Sequence, residues 1–517
     1  MFDILIRNGR IIDGTGNPRY LADLAINGES IADIGKLTGA QAKVVIDAAG
    51  KVVTPGFIDT HVHGDLALIS DPYHEPAIRQ GVTTYIVGQD GVAMAPASPA
   101  TLDYMRRYTA GFSGVHDIEG NWSTLGEYLD RLDRSSALNV ACLVPNGNVR
   151  MEAMGLEMRP PRPDELSKMC KLVRAAMEQG AVGLSTGLDY IPSLYADTDE
   201  LIALCKEIAP FGGVYVTHMR AYAGDHVMDS IDEVFRIGRE AGVAVHISHF
   251  NTQSALTLPK IDEGLREGLD VTYDLYCYLF GNSILGMTAL PPWVQEGGID
   301  ATMDRLAKDE TRQKLRSTPY DPKAPLEKIQ LSYITSETYR KHEGKTLGQA
   351  AADSGQDVLD FVCDVLLASK MAVGSITPHM HRDDSDIEAA IRHPVMMGGS
   401  DGIFNGSHPH PRGWGCFVRY LGYYVRDRQV WTLEQAVRKL SSHAANRYGL
   451  QDRGILRKGM KADVVVFNPD TITDHATIEK GNRLATGVDN VLVNGELVLH
   501  NGERTKALPG RALRGRG

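Results

Sequence analysis

Eight short runs rich in apolar and β-branched residues recur along the chain, separated by stretches with helical spacing. That alternation restricts the chain to repeated βα units around a parallel sheet. The runs cover residues 52–63, 83–91, 139–148, 181–190, 214–220, 243–250, 270–278 and 394–402. Segments 163–179, 200–209 and 230–241 are among the intervening stretches of helix length. Eight such units predict a closed (β/α)8 barrel, a TIM-like α/β fold, over residues 57–449.

The two ends read differently. Residues 1–56 and 450–517 hold short alternating strands with Asn-Gly turns, as in Val491-Leu-Val-Asn-Gly495, and they predict a small β-sandwich domain formed by both termini. The stretch between the seventh and eighth runs is unusually long. It contains Pro291-Pro-Trp293 and further helical spacing, which predicts an inserted subdomain or lid within about 281–372 over the barrel mouth.

Composition removes several function classes. A formal net charge of −11 leaves no basic face for nucleic acid apart from a short tail at Arg511, Arg514 and Arg516. No apolar run is long enough to span a bilayer, and the first residues alternate like a strand where a signal peptide would carry a basic end and an apolar stretch. Six scattered cysteines form neither a disulfide framework nor a cysteine zinc motif, which fits a reducing cytoplasm. The partner that remains is a small-molecule substrate. Nothing in the pattern specifies an oligomeric state.

Barrel enzymes carry their chemistry at the C-terminal ends of the strands, and polar residues are concentrated there. The first run ends His61-Val-His63, the fifth includes His218, the sixth ends His246-Ile-Ser-His249, and the eighth ends Ser400-Asp401-Gly402. Four histidines (His61, His63, His218, His249) and a carboxylate (Asp401) converging on one barrel mouth suit one or two zinc-like divalent ions. His379-Met-His381 repeats the His-x-His spacing outside a strand end and reads as a solvated segment.

Pro55-Gly-Phe-Ile-Asp-Thr-His-Val-His63 resembles the opening metal motif of the amidohydrolase superfamily. Gly180-Ala-Val-Gly-Leu-Ser-Thr-Gly-Leu-Asp-Tyr190, Asp274-Leu-Tyr-Cys-Tyr278, Leu290-Pro-Pro-Trp293 and His408-Pro-His-Pro-Arg412 are similar to its N-acyl-D-amino-acid deacylase (D-aminoacylase) branch. The likeness runs in consistent order over roughly residues 1–511. It implies His61, His63 and Asp401 around one metal position and His218 and His249 around the other, holding zinc, with manganese or cobalt as alternatives. The implied reaction is amide hydrolysis by a metal-activated hydroxide, with Asp401 as general base and then acid. Tyr190 is the implied oxyanion donor and Arg412 the implied carboxylate anchor.

Two positions depart from the family pattern. Asn251 stands where a lysine commonly helps to hold the substrate carboxylate, and Asp90 stands where a metal-binding cysteine is common. Asp90 is read as a ligand to the ion of His218 and His249, bridging two ions, against the alternative of an aspartate that caps the Gly88–Gly91 loop. Hydrolysis of another amide-like bond (cyclic amide, carbamate or lactone) and a non-catalytic barrel are the competing readings. The second of these predicts missing ligands.

Overall fold

A computed structural model describes residues 1–318 and 324–515, so Arg516 lies outside the described residues. The eight barrel strands are Phe57–Asp59, Val82–Val87, Asn139–Cys142, Gly183–Gly187, Val214–His218, Ala244–Ile247, Val271–Leu275 and Met396–Gly398, numbered one to eight below. Strands one to three pair in parallel in order, as do strands four to eight. Between strands three and four, Val144–Pro145 carries the ladder onward, and Val182 N–H donates to Cys142 O at 3.0 Å. The cylinder closes where Thr60 N–H donates to Gly398 O at 3.1 Å and Asp401 N–H donates to His61 O at 2.7 Å. Helices on one face and side-chain layers on the other bury nearly every strand residue, which is why these runs are rich in apolar and β-branched residues on both faces instead of alternating with charged ones.

The first predicted run, 52–63, divides in two. Val52–Pro55 belongs to the terminal sheet, and Phe57–Asp59 belongs to the barrel. Gly56 sits at the break, where a Cβ would lie 2.1 Å from Thr83 Oγ1, so only glycine lets the chain cross between the layers. His61 and His63 therefore follow strand one, in the turn beyond its end.

Both chain ends join one nine-stranded sheet that includes Phe2–Ile11, Tyr20–Asn27, Val52–Pro55, Val464–Phe467 and Val488–Val493. Val464–Phe467 lies between Val52–Pro55 and Val488–Val493, antiparallel to both. Strand alternation sends Val464 and Val466 into a core with Ile6, Leu24 and Ile26, while Val465 and Phe467 enter the barrel core beside Phe57. Each fully buried side chain of this kind contributes about 1.5–3 kcal/mol.

Between strands seven and eight the chain builds a three-stranded antiparallel sheet, with Val373–Pro378 between Phe280–Ile284 and Gln330–Ile334. Helices Gly298–Leu306, Leu347–Ser354 and Val358–Ala368 pack near it around a separate core that contains Leu306, Leu331, Leu347 and Phe361. This sheet forms the roof of a cavity of about 320 Å³ whose floor is the barrel mouth.

Candidate metal centre

The floor begins with the turn Gly88-Gln89-Asp90-Gly91. Its φ values of +80° at Gly88, +56° at Asp90 and +66° at Gly91 are left-handed, and a Cβ at Gly88 would lie 2.6 Å from Leu143 O. Gln89 pins the turn by donating from Nε2 to Thr60 O at 2.9 Å and to Ile86 O at 2.8 Å. Asp90 is thereby carried to the centre of the site. Two other candidate ligands also hold left-handed backbone, His249 at φ 33° and Asp401 at φ 50°. Strain of this kind costs about 1–3 kcal/mol per residue and gathers where geometry serves function.

Asp90 stands among all four histidines. Its Oδ1 is 3.5 Å from His61 Nε2 and 3.8 Å from His249 Nε2, and its Oδ2 is 3.5 Å from His63 Nε2 and 3.7 Å from His218 Nδ1. Asp401 Oδ1 lies 3.3 Å from His63 Nε2 and 3.8 Å from His61 Nε2. Two ligand atoms at ~2.1 Å from one tetrahedral ion stand about 3.4 Å apart, which matches these separations better than direct hydrogen bonding does. Among the described residues, His61-His63-Asp90, Asp90-His218-His249 and His61-His249-Asp401 each bring three donor atoms together. Asp90 is common to the first two groups. Both ring nitrogens of His61, Asp90 Oδ1 and His218 Nδ1 are buried without a hydrogen-bond partner, a costly arrangement that a cation would satisfy. The donor set fits one or two divalent ions.

A second layer of carboxylates aims these rings. Asp274, at the end of strand seven, accepts a hydrogen bond from His249 N–H at 2.8 Å and places Oδ2 3.0 Å from His246 Nε2 and 3.5 Å from His61 Nδ1. Asp189 Oδ2 lies 3.1 Å from His218 Nε2 and leaves Nδ1 facing Asp90. Carboxylate partners of this kind fix the tautomer and orientation of a ligating imidazole. Burial alone would lower the pKa of His218, but Asp189 and Asp90 raise it to about 9 in the ion-free protein. Asp59 accepts hydrogen bonds from the Ser400 backbone N–H at 2.8 Å and from the Ser400 hydroxyl, and burial pushes its carboxyl up to about 7. It ties strand one to the loop that presents Asp401.

The remaining predicted residues take separate places. Tyr190 is buried in the cavity wall with its hydroxyl 2.9 Å from Ser283 Oγ of the roof. Asn251 lines the cavity, and its Oδ1 has no partner. Arg412 is wholly buried, with Nη1 2.7 Å from Asp401 Oδ2 and its guanidinium 4.5 Å over the Tyr276 ring. It does not line the cavity, whereas Tyr276 does. Its charge, together with His63, holds the Asp401 carboxyl below the ordinary range against the effect of burial.

His379 and His381 require a correction. They are not a solvated segment: both line the cavity, His381 Nε2 is 2.8 Å from Asn251 O, and Arg382 Nε donates to His379 Nδ1 at 3.0 Å. The strand Val373–Pro378 ends over the barrel mouth and lays the following loop across it. Asp189 and Asp274 were also missed as ring-orienting groups. Their sequence signals are their place at strand ends and inside two of the motifs that carry the family resemblance.

A parallel barrel whose strand ends gather four imidazoles around a shared carboxylate defines a metal-dependent hydrolase. The chain belongs to the amidohydrolase family, whose model matches residues 44–499. It is 34% identical to the D-aminoacylase of Alcaligenes xylosoxydans xylosoxydans, over 99% of this chain and 97% of that protein. It is 35% identical to the N-acyl-D-glutamate deacylase of the same organism, over 99% and 96%. Among solved structures, a crystal structure of D-aminoacylase superposes with a TM-score of 0.83 at 33% identity, covering 99% of this chain and 100% of that one. The N-acyl-D-glutamate deacylase of Bordetella bronchiseptica, complexed with zinc and a phosphonate mimic of the tetrahedral intermediate, superposes at 0.84 with 33% identity and 99% coverage of both chains. The resemblance drawn from the motifs is borne out along the whole chain. Among the described residues, no helix is long and apolar enough to cross a membrane.

Proposed function

We propose that this protein hydrolyses the amide bond of N-acyl-D-amino acids, using zinc at the His61, His63, Asp90, His218, His249 and Asp401 cluster. The observation that carries this reading is the buried, unpartnered donor set around Asp90, in a chain similar over its full length to proteins named for that reaction. Divalent ions bound there supply Lewis acidity and make water acidic near neutral pH. Asp401 takes a proton from the attacking water at its carboxylate and returns it to the leaving nitrogen, so that amide and water become carboxylic acid and amine. Arg412 holds that carboxylate in place through Nη1 while its Nη2 donates to Asn282 O at 3.2 Å, so its role is to position Asp401 from behind the cavity wall. Tyr190 donates a hydrogen bond from its hydroxyl to the oxygen of the scissile carbonyl while Ser283 fixes the direction of that hydroxyl. Asn251 is the polar contact on the barrel side of the cavity. Manganese and cobalt suit the same mixed imidazole and carboxylate ligand set.

Six free cysteines, five of them buried, support placement in the cytoplasm. The test is a paired panel of N-acetyl-D- and N-acetyl-L-amino acids after reconstitution with zinc. Turnover of D substrates that a chelator abolishes and zinc restores is the expected result. Turnover of neither series, with metal bound, rejects the reading.

A further inference from the structure

Behind the cavity wall, where the inserted sheet gives way to the barrel, stands a buried positive charge that no carboxylate neutralises. His379 and His381, on the loop after Val373–Pro378, line the cavity, and Arg382 lies behind them at 7% exposure. Its Nε donates to His379 Nδ1 at 3.0 Å and its Nη2 to Tyr278 O at 2.6 Å. Among the described residues Arg382 forms no ion pair. The carboxylate of Asp386, which acts on it from farther off, accepts instead from Ser254 N–H at 2.7 Å and Asp383 N–H at 3.1 Å. A buried cation without a counter-ion is costly, so this one is complementary to an anion that arrives from outside.

The charge reaches the cavity through His379. A guanidinium has only donors, so Nδ1 accepts and the proton of the neutral ring sits on Nε2. Burial, reinforced by Arg382, keeps His379 well below the usual histidine range and therefore in that neutral form. Nε2 lies 3.4 Å from Tyr276 Oη, and both residues line the cavity. Gly281 borders the same space: a Cβ there would stand 3.1 Å from Nε2 and 3.5 Å from Oη, and its lack leaves both donors reachable. The nearby cations are already paired. Arg220 of the cavity wall donates to Glu233 Oε2 at 2.9 Å, and Arg412 holds Asp401 at 2.7 Å.

We propose that His379 Nε2–H and the Tyr276 hydroxyl receive a carboxylate of the substrate, and that Arg382, as a positioning residue, fixes the His379 tautomer and supplies the compensating charge from behind. The proposal rests on the deacylase reading above. An N-acyl-D-amino acid brings an α-carboxylate beside the leaving nitrogen, and an acidic side chain brings a second; both present the same pair of charged oxygens. A carboxamide of the same shape meets the donors but leaves the charge of Arg382 uncompensated.

The zinc-loaded enzyme is assayed with two acid and amide pairs, N-acetyl-D-alanine with N-acetyl-D-alaninamide and N-acetyl-D-glutamate with N-acetyl-D-glutamine. Expected is a kcat/KM about tenfold or more higher for the acid in at least one pair. Preference in the alanine pair identifies the α-carboxylate as the group bound, and preference in the glutamate pair identifies the side-chain carboxylate. Arg382→Met and His379→Phe each lower that acid-to-amide ratio about tenfold, chiefly through KM for the acid, and Arg382→Lys, which keeps the charge, retains most of it. Damage to packing alone slows both members of a pair alike, and a ratio taken within one preparation cancels any loss of folded or metal-loaded protein. Wild-type ratios near one in both pairs, or a preference that neither Arg382→Met nor His379→Phe moves, overturn the proposal while the deacylase reading stands. Hydrolysis of none of the four overturns both.

Discussion

Floor and roof of the cavity are built on opposite plans. The floor is charged: two carboxylates and four imidazoles, presented by strand ends and positioned by strained turns and a second layer of aspartates. The roof is neutral, made of hydroxyl, amide and backbone groups on a small antiparallel sheet with its own core. Each plan follows from its task. A metal centre needs fixed, deprotonated donors at short range, and a barrel mouth supplies them from many strands at once. Substrate choice needs only shape and matched hydrogen bonds, which an inserted sheet can alter without disturbing the ligands.

The largest expected effect divides floor from roof most sharply. Asp401→Asn keeps the volume and removes proton transfer, so kcat falls about a thousandfold while the melting temperature stays within a few degrees. Activity within tenfold of wild type removes Asp401 as the base.

Asp90→Ala tests whether the floor is one assembly. Loss of the carboxylate shared by two donor groups lowers the metal content per chain and cuts kcat about a hundredfold. Loading also depends on pH, with a definite sign. In the ion-free protein His218 titrates at about 9 and must be deprotonated to bind, so metal content after dialysis rises with pH up to that value. Unchanged metal content in the variant, with only reduced stability, makes Asp90 a loop cap. A flat loading curve between pH 6 and 9 breaks the proton competition.

The smallest effect crosses the boundary. Ser283→Ala deletes the roof hydroxyl that meets Tyr190 and leaves the ligands untouched, so kcat falls about fivefold with metal content unchanged. A loss as large as that of Tyr190→Phe makes the roof part of the catalytic apparatus and erases the distinction drawn above.

The same division governs what could be read in the sequence. His61, His63, His218, His249 and Asp401 stood out because strand-end placement is a local property of the chain. Asp90 needed the resemblance, since a Gly-Gln-Asp-Gly turn is equally a loop cap. His379 and His381 were read as a solvated segment because their place over the barrel mouth depends on a ladder between strands about ninety residues apart, in which no local period records the partner. The run at 52–63 looked like one strand because neither half is polar. Steric contact between Gly56 and Thr83 divides it, and that contact is invisible without the fold.

The strand shared by two cores has a consequence for synthesis. Val52–Pro55 pairs with Val464–Phe467, which lies some four hundred residues downstream. At ~5–20 residues per second, the ribosome takes roughly 20–80 s to supply that partner. During this interval the apolar edge of Val52–Pro55 is open, a template for pairing with other chains. The nascent protein therefore passes through a period of exposure to aggregation that the finished molecule no longer shows, and chaperone demand should be greatest before Val464–Phe467 emerges.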